Sequence, residues 1–541
     1  MSTYYPLSRT KNKRSIKKKV YFLIVSGNNA AVMDDNGIFS METNEMIPHL
    51  EPGKVYITWN METIEMIPFV MSKKKSAQCI YSDNVLKIKR KRGEDFITVY
   101  DLNMFFDFDL MKYSIDRGLG DGILSLLLSL SYVWEDYNQR FFEAFDVYPS
   151  TSPGSSAIKA LRKTLIFDIF PRGKPITDLL FRSITAPLLY WRPGKYEEAH
   201  LYDINASYLF AMRSIKYPIS LAGFLDRCPP NNKWIATVKI NYEGERAIPV
   251  KGLSRVVFPT SIKGAILTIN YLDYQLAQMQ GKIEIIKWLE GVSWRDEDED
   301  YLFKDFVDKA ERSALSDPLS KKMIKVTSRS LHSKFAQRPF YEDNVVRWGK
   351  SNRDTIDLMM IGDETAIIDK VKNRRGFRNY IRPDYESLTL SFARAYLLSF
   401  VDKNTIYSDT DCIISKVPRD DLPIGPMFGQ WKHEESGPCY ISGPRFYQIG
   451  DRVRASGIVS GGGKDIGKAV RVASIRGFSS LRSIGSDGKE REVCKIYRVN
   501  YPMSRMKKNI LYIKQSPERI ERLPVKGRLL GCLTRKKITL P

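Results

Sequence analysis

Short apolar runs separated by polar turns predict β-strands in several parts of the chain. The predicted strand regions are Val20–Val25, Val55–Thr58, Phe96–Tyr100 and Trp234–Leu267. Apolar residues at helical spacing predict helices between them. The predicted helical regions are Leu110–Phe145, Ala157–Leu165, Tyr271–Gln280, Tyr301–Arg312 and Lys321–Phe335. Strands and helices are mixed along the chain, which predicts a multidomain protein of mixed α/β class.

Polar residues mark where two of these helices begin. Ser155 or Ser156 is expected to be the N-cap of the helix predicted at Ala157–Leu165. A strand is predicted to end at Asp203, and another helix to begin near Ala206, with Asn205 or Ser207 near its cap. A carboxylate at a strand end is a common place for a metal or phosphate site in mixed α/β folds. A simple helix-start role for Asp203 is the alternative.

The segment Lys403–Ser415 has the pattern of a β-hairpin with an acidic tip. Asp409 and Asp411 are separated by one residue, and side chains at i and i+2 of an extended segment share a face. Two carboxylates so close repel each other unless a cation lies between them. A divalent ion with oxygen ligands is therefore expected. For this motif alone, an exposed acidic turn is the alternative.

The chain of 541 residues is long enough for about three or four domains, and its net charge is +23. A charge of this size favours a polyanionic partner such as nucleic acid. No apolar run reaches the roughly 18 residues that span a bilayer, so no membrane partner is predicted. The 6 cysteines form no Cys-x-x-Cys pair, which argues against structural zinc and predicts a reducing, intracellular compartment.

Three basic residues recur at helical spacing in the last predicted helix. Lys321, Lys325 and Arg329 lie at i, i+4 and i+8 and therefore share one face. A basic stripe of this kind suits a triphosphate, and a solvated helix face is the alternative. With two divalent ions at Asp203 and Asp411, such a stripe would serve phosphoryl transfer, which depends mainly on positioning and charge.

These motifs resemble those of family B DNA polymerases, specifically the protein-primed branch of small phages, adenoviruses and linear plasmids. Asp203–Tyr208 resembles motif A, Lys325–Ser333 resembles motif B, and Tyr407–Asp411 resembles motif C, Tyr-x-Asp-Thr-Asp. Arg445–Tyr447 is similar to the Lys-x-Tyr motif that grips the primer strand. Tyr190–Gly194 is loosely similar to the Tyr-x-Gly-Gly linker between exonuclease and polymerase domains.

The resemblance implies a right-hand polymerase with palm, fingers and thumb behind an RNase H-like exonuclease-type domain. The implied catalytic residues are Asp203, Asp409 and Asp411, and the implied ligands of two Mg²⁺ ions, with Mn²⁺ as an alternative, are Asp203, Ile204 and Asp411. The implied nucleotide-binding residues are Tyr208, Lys321, Lys325, Arg329 and His332. The implied DNA-binding residues are Ser207, Tyr407, Arg445, Tyr447 and Lys464.

The implied activity is DNA-directed DNA polymerase, a nucleotidyltransferase acting in viral or mobile-element genome replication. Its partners would be primer-template DNA, deoxynucleotides and, at initiation, a terminal priming protein. A polymerase-derived DNA-binding scaffold without turnover is the alternative. A reverse transcriptase is disfavoured, because its usual signature places the two aspartates side by side, whereas Thr410 separates them here.

The sequence departs from the family in motif A, in motif B and in the exonuclease motifs. Motif A has Ala206 before Ser207 and Leu209 where Pro is usual, and motif B has Ser333 where the family has Gly. Motif B has Arg329 where the family has Asn and His332 where it has Tyr, which affects the surface against the nascent base pair. The exonuclease motifs are eroded, since only Asn60, Tyr132 and Asp136 remain as residual positions. Two-metal hydrolysis needs several carboxylates together, so this domain is expected to lack proofreading activity.

The expected domain order follows the family. The predicted domains are 1–185 (exonuclease-like), 186–214 (palm with motif A), 215–300 (insertion resembling the priming-protein-contacting region), 301–338 (fingers), 339–455 (palm with motif C and a possible second insertion) and 456–541 (thumb).

Overall fold

The computed structural model describes 19–26, 29–42, 45–46, 49–59, 78–82, 85–89, 93–103, 106, 109–163, 165, 174–229, 231–251, 256–338, 340–347, 357–361, 364–374, 378, 380–443, 445–455 and short strands at 481–484, 490–493, 515–516, 519–520 and 528–529. The chain divides into two compact units. Unit A contains Ile16–Gln139, Phe340–Arg374 and Val453–Pro541, and unit B contains Arg140–Pro339 and Arg375–Arg452. The boundaries between the six domains given above stay predictions.

The chain begins with the strands of unit A. These strands are β1 (Tyr21–Ser26), β2 (Asn29–Asp34), β3 (Gly37–Glu42), β4 (Val55–Thr58), β5 (Gln78–Ser82), β6 (Val85–Lys89) and β7 (Ile97–Asp101). The helices α1 (Leu110–Asp116) and α2 (Ile123–Phe145) follow. The strand β4 pairs in parallel with both β1 and β7, and β1 pairs antiparallel with β2.

Unit B alternates helices with antiparallel strands. Its first helices are α3 (Pro153–Leu161), α4 (Lys174–Ser183), α5 (Ser207–Ser214), α6 (Tyr271–Gln280), α7 (Lys304–Ser316) and α8 (Pro318–Phe335). Its first strands are β8 (Leu189–Trp191), β9 (Gly194–Ile204), β10 (Tyr217–Pro218), β11 (Ala222–Leu225), β12 (Lys233–Gly244), β13 (Val250–Lys251), β14 (Val256–Val257), β15 (Ser261–Asn270), β16 (Gly281–Trp294) and β17 (Glu299–Asp300).

The chain then returns to unit A before it completes unit B. The unit A strands here are β18 (Phe340–Arg347), β19 (Asp357–Ile361) and β20 (Glu364–Arg374). The next elements are α9 (Pro383–Leu398), β21 (Thr405–Asp409), β22 (Cys412–Ser415), β23 (Trp431–Gly443), β24 (Phe446–Ile449) and β25 (Arg452–Ala455). The last described strands are β26 (Leu481–Ile484), β27 (Glu490–Val493), β28 (Gln515–Ser516), β29 (Arg519–Ile520) and β30 (Arg528–Leu529).

The three largest sheets organise the described residues. The sheet of unit A has the order β3-β2-β1-β4-β7-β6-β5-β18-β20-β19-β30. Unit B has a sheet that contains the strands β24-β23-β9-β22-β21-β8 in this order, and a second sheet of order β11-β16-β12-β15. In the first of these unit B sheets, β9 pairs antiparallel with β22 on one side and β23 on the other.

The β9 sheet packs on both faces, because successive side chains of a strand point to opposite sides. Leu201 belongs to a small core with Ile414. Tyr202 and Ile204 belong to a larger core that also holds Trp431. Asp203 therefore lies on the face of the smaller core, between two buried neighbours. This alternation fixes which residues of β9 can reach a ligand on that face.

Most predicted elements are present, with shifted ends. The helix predicted from Tyr301 begins at Lys304, and the strand predicted at Val20–Val25 is Tyr21–Ser26. Ser155 and Ser156 were the wrong caps for α3, because Ser152 caps it and Pro153 begins it. Pro is favoured in the first helical turn, where its missing N–H costs no hydrogen bond. Among the described residues, no helix combines the length and apolar content needed to cross a membrane.

Candidate active site

The acidic hairpin is formed by β21 and β22. Asp409 ends β21 and pairs with Cys412, so Thr410 and Asp411 form the two-residue turn. Thr410 has φ +64°, a backbone conformation that non-glycine residues rarely adopt. The hairpin is as predicted, but the prediction that Asp409 and Asp411 share one face of an extended strand is wrong, because Asp411 lies in the turn. The turn itself brings the two carboxylates together.

Asp203 reaches this hairpin through the strand pairing of β9. It lies directly opposite Cys412 on β22. The next residue, Ile204, donates its backbone N–H to the carbonyl oxygen of Asp411 at 2.7 Å. Two acidic residues from distant parts of the chain are thus held side by side by backbone hydrogen bonds.

The carboxylates of this cluster shift the pKa values of one another. Burial, followed by the negative charges of Asp203 and Asp409, raises the pKa of Asp411 to about 7. Burial also raises the pKa of Asp203, and the nearby Lys432 opposes that shift. A cation placed among these groups would relieve the repulsion and return both carboxylates to their charged forms.

Two cations of the chain already contact this cluster. Arg445 donates from Nε to Oδ2 of Asp409 at 2.9 Å and from Nη2 to Oδ1 at 3.3 Å. Lys432 Nζ lies 3.2 Å from Oδ2 of Asp203. The sequence motifs predicted Arg445 but missed Lys432. The only available signal was the position of Lys432 in the segment between the hairpin and Arg445.

The predicted basic stripe lies on α8, which begins after the N-cap Asp317. Lys325 and Arg329 lie close enough to Asp411 for their positive charges to oppose the rise in its pKa. Burial, then the positive charge of Lys432, lowers the pKa of Lys325, and the neighbouring Lys321 and Arg329 add to this shift. An anionic ligand would therefore find a crowded group of positive charges here.

Tyr208 and His332 meet beside the cluster. Their ring centroids are 4.2 Å apart. Nδ1 of His332 lies 3.0 Å from Oε1 of Glu386 on α9. Burial, together with the charges of Asp411 and Glu386, raises the pKa of Tyr208. Glu386 was missed by sequence reasoning, because it belongs to none of the motifs.

Ser207 and Ala206 start helix α5. Ala206 is the N-cap with φ +50° and no side-chain cap hydrogen bond, so neither Asn205 nor Ser207 is the cap. The hydroxyl of Ser207 is buried without a hydrogen-bond partner among the described residues. Such strained or unsatisfied groups concentrate at functional sites.

Arg445 and two tyrosines pack together beside Asp409. The backbone N–H of Arg445 donates to the hydroxyl of Tyr407 at 3.2 Å, and that hydroxyl lies 3.4 Å from Asp409. The rings of Tyr407 and Tyr447 are 4.9 Å apart. Tyr407 is 1 % exposed, so its described role here is to pack beneath Arg445, and its contact with DNA stays a prediction.

The remaining predicted residues lie elsewhere. Lys464 and Asn60 are outside the described residues. Tyr132 and Asp136 belong to α2 in unit A. Asp136 accepts hydrogen bonds from Tyr113 at 2.8 Å and Arg117 at 2.7 Å.

The donor set fits a metal that takes part of its coordination from substrate. Among the described residues, no group of three or more His, Cys, Asp or Glu side chains is arranged as a complete metal site. Mg²⁺ at nucleotide sites usually takes one or two carboxylates together with substrate phosphates and water. Asp203 and Asp411 supply such a pair of carboxylates. The backbone of Ile204, the residue after Asp203, hydrogen-bonds to the backbone of Asp411.

The fold is shared with a polymerase of known structure. Phi29 DNA polymerase complexed with primer-template DNA and incoming nucleotides superimposes with a TM-score of 0.65 at 14 % identity, over 89 % of this chain and 100 % of that one. An orthorhombic crystal form of phi29 DNA polymerase gives 0.63 at 14 % identity, over 91 % and 98 %. Its complex with single-stranded DNA gives 0.62 at 15 % identity, over 86 % and 96 %.

No protein-family model and no curated protein matches the chain. The structural likeness confirms the mixed α/β, right-hand polymerase fold expected from the motifs. It also agrees, at the level of fold, with the resemblance to the protein-primed family B polymerases.

Proposed function

We propose that this chain is a DNA-directed DNA polymerase that adds deoxynucleotides to a 3′-hydroxyl. The observation that carries the proposal is the convergence of Asp203 and Asp411, held by the pairing of β9 with β22. The fold of phi29 DNA polymerase, solved with primer-template DNA and nucleotides, supports DNA and nucleotides as partners.

The proposed roles follow the charges of the site. Asp203, Ile204 and Asp411 would hold two Mg²⁺ ions, which supply the charge that activates the 3′-hydroxyl and stabilises the leaving pyrophosphate. Lys325 and Arg329 would bind the triphosphate, because they lie near the same carboxylates. Lys321 would extend this basic surface along α8.

The aromatic and basic groups around the carboxylates complete the assignment. Tyr208 and His332 would contact the incoming nucleotide, since their rings pack together beside Asp411. Arg445 and Tyr447 would hold the primer terminus. Initiation on the hydroxyl of a priming protein is also proposed, and the sequence motifs alone support it.

Primer extension tests the proposal. The wild type is expected to extend a labelled DNA primer with Mg²⁺ and deoxynucleotides, and Asp411→Ala to lose roughly a hundredfold or more of the rate. Asp420→Ala, at an exposed position a few residues further along, is the matched control. A DNA template and an RNA template are compared in parallel, and a preference for RNA would favour the reverse transcriptase alternative.

A DNA-binding scaffold without turnover is the second candidate. The pairing of Asp203 with Lys432 and of Asp409 with Arg445 favours it, because two of the acidic groups are already neutralised. DNA binding by wild type and Asp411→Ala alike, with no extension by either, would establish this candidate in place of the polymerase.

A further inference from the structure

Lys432 is placed against Asp203 by the sheet itself. The two residues lie directly opposite each other in the pairing of β23 with β9. Directly opposed residues of antiparallel strands have Cβ atoms about 4.5–5.5 Å apart, so their side chains meet. Lys432 Nζ lies 3.2 Å from Asp203 Oδ2. The contact therefore follows from strand register and not from a loop.

Lys432 has a second carboxylate partner outside the set of aspartates. Its ammonium group also contacts Glu434. Glu434 is held in turn by Arg452, with Nη1 at 2.5 Å from Oε2. Lys432 thus lies between one carboxylate that is assigned to a metal and one that is not.

The aspartates differ in the cations available to them. Asp203 pairs with Lys432, and Asp409 pairs with Arg445. Among the described residues, Asp411 has no ion pair. A divalent cation therefore meets one free carboxylate, Asp411, and one that is already occupied, Asp203.

We propose that Lys432 is a positioning residue that occupies Asp203 before metal binding and thereby sets the affinity of the site for divalent cations. The inference rests on the proposed two-metal function. An ammonium group and a divalent cation on the same carboxylate repel each other. Binding of the metal at Asp203 therefore displaces Lys432, which Glu434 retains.

The consequence is a site whose metal affinity is weaker than its carboxylates alone would give. Removing the positive charge at residue 432 should tighten metal binding, whereas most substitutions beside a metal site weaken it. The sign of the effect separates the proposal from a merely structural role for Lys432.

Titration of the full-length protein with Mn²⁺, followed by the electron paramagnetic resonance signal of the free ion, measures this affinity without any turnover. Lys432→Met and Lys432→Gln are both expected to bind Mn²⁺ more tightly, on the order of fivefold for a partly exposed pair. Lys432→Arg is expected to bind as the wild type does. Thermal unfolding of each variant confirms that it is folded.

Lys233 provides a matched control. It also contacts two carboxylates, Asp296 at 3.0 Å and Glu299, and its side chain is 29 % exposed compared with 39 % for Lys432. Lys233→Met removes an ion pair of the same kind away from the metal ligands. It should therefore leave Mn²⁺ affinity unchanged.

Two results overturn the inference, and they are distinguishable. If Lys432→Met and Lys432→Gln bind Mn²⁺ no more tightly than the wild type, while Asp411→Asn abolishes binding, the role of Lys432 is wrong and the metal site stands. If neither the wild type nor Lys432→Met shows binding that Asp411→Asn removes, the proposed metal site fails and the inference fails with it.

Discussion

Both carboxylate oxygens of Glu386 lie within hydrogen-bond distance of Nδ1 of His332, at 3.0 and 3.1 Å. Glu386 is 4 % exposed, and an ionised carboxylate can only accept hydrogen bonds. Pairing with the ionised form of Glu386 requires a proton on Nδ1 of His332, and the two short contacts hold the ring in one orientation. The ring that contacts Tyr208 is thus oriented by a residue from a different helix.

The first prediction concerns this pair and stability. His332→Phe leaves the buried carboxylate of Glu386 without its partner and should lower the free energy of unfolding by about 1–3 kcal/mol. Replacing both residues, in His332→Phe with Glu386→Leu, should recover most of the loss because no polar group is left unpaired. Urea unfolding of the wild type, both single variants and the double variant measures this. A double variant as unstable as His332→Phe would show that the pair is not coupled.

The second prediction concerns Asp411 and pH. Its pKa is raised from 3.8 to about 7 in the folded chain, so folding disfavours the charged form. The folded protein loses stability as pH rises from about 4 to 7, and the penalty is complete above that range. Asp411→Asn should therefore raise the melting temperature at pH 8 in the presence of EDTA, by roughly 1–2 °C for each kcal/mol recovered in a unit of this size.

The same variant supplies its own control. Near pH 3 the wild-type carboxyl is mostly protonated in both the folded and the unfolded state, so Asp411→Asn should have little effect on the melting temperature there. An equal effect at both pH values would mean that the substitution acts through packing and not through charge.

The third prediction concerns the two hydrogen bonds from Arg445 to Asp409. Arg445 reaches both carboxylate oxygens with two nitrogens, which lysine cannot do. Arg445→Lys is expected to raise KM for primer-template by about tenfold, equivalent to about 1.4 kcal/mol, with KM for deoxynucleotides little changed. Steady-state primer extension measures both constants. Arg295→Lys, at an exposed pair with Glu297, should change neither, and a selective rise in KM for nucleotides would contradict the assignment.

The fourth prediction concerns the residual exonuclease positions. Asp136 is bound by Tyr113 and Arg117, so it is committed to contacts within unit A. A labelled mismatched primer with Mg²⁺ should remain full length with the wild type. Degradation that Asp136→Ala abolishes would instead establish an active proofreading site.

Sequence reasoning succeeded where local signals determine the structure. Helix α6 has the predicted bounds, because Asn270 caps its start through the N–H of Asp273 and Gly281 follows its end. The segment at Tyr190 was predicted as a connector, yet Leu189–Trp191 pairs with β21 as strand β8. Pairing with a distant strand leaves no local pattern in so short a run.

The same distinction applies to the site. Asp203, Asp409 and Asp411 belong to contiguous motifs and were visible in the sequence. Lys432 and Glu386 were not, because one depends on the register of two strands and the other on the packing of two helices. Neither relation leaves a recognisable spacing along the chain.

The central position of β9 has a consequence for how the chain tolerates insertions. Because neighbouring side chains of a strand face opposite ways, a one-residue slip would exchange Asp203 with Tyr202 or Ile204. A single codon inserted between Ala199 and Asp203 would thus bury the acid in the apolar core and offer a hydrophobic side chain to the substrate. The register of β9 therefore matters for the chemistry as much as the aspartate that this strand carries.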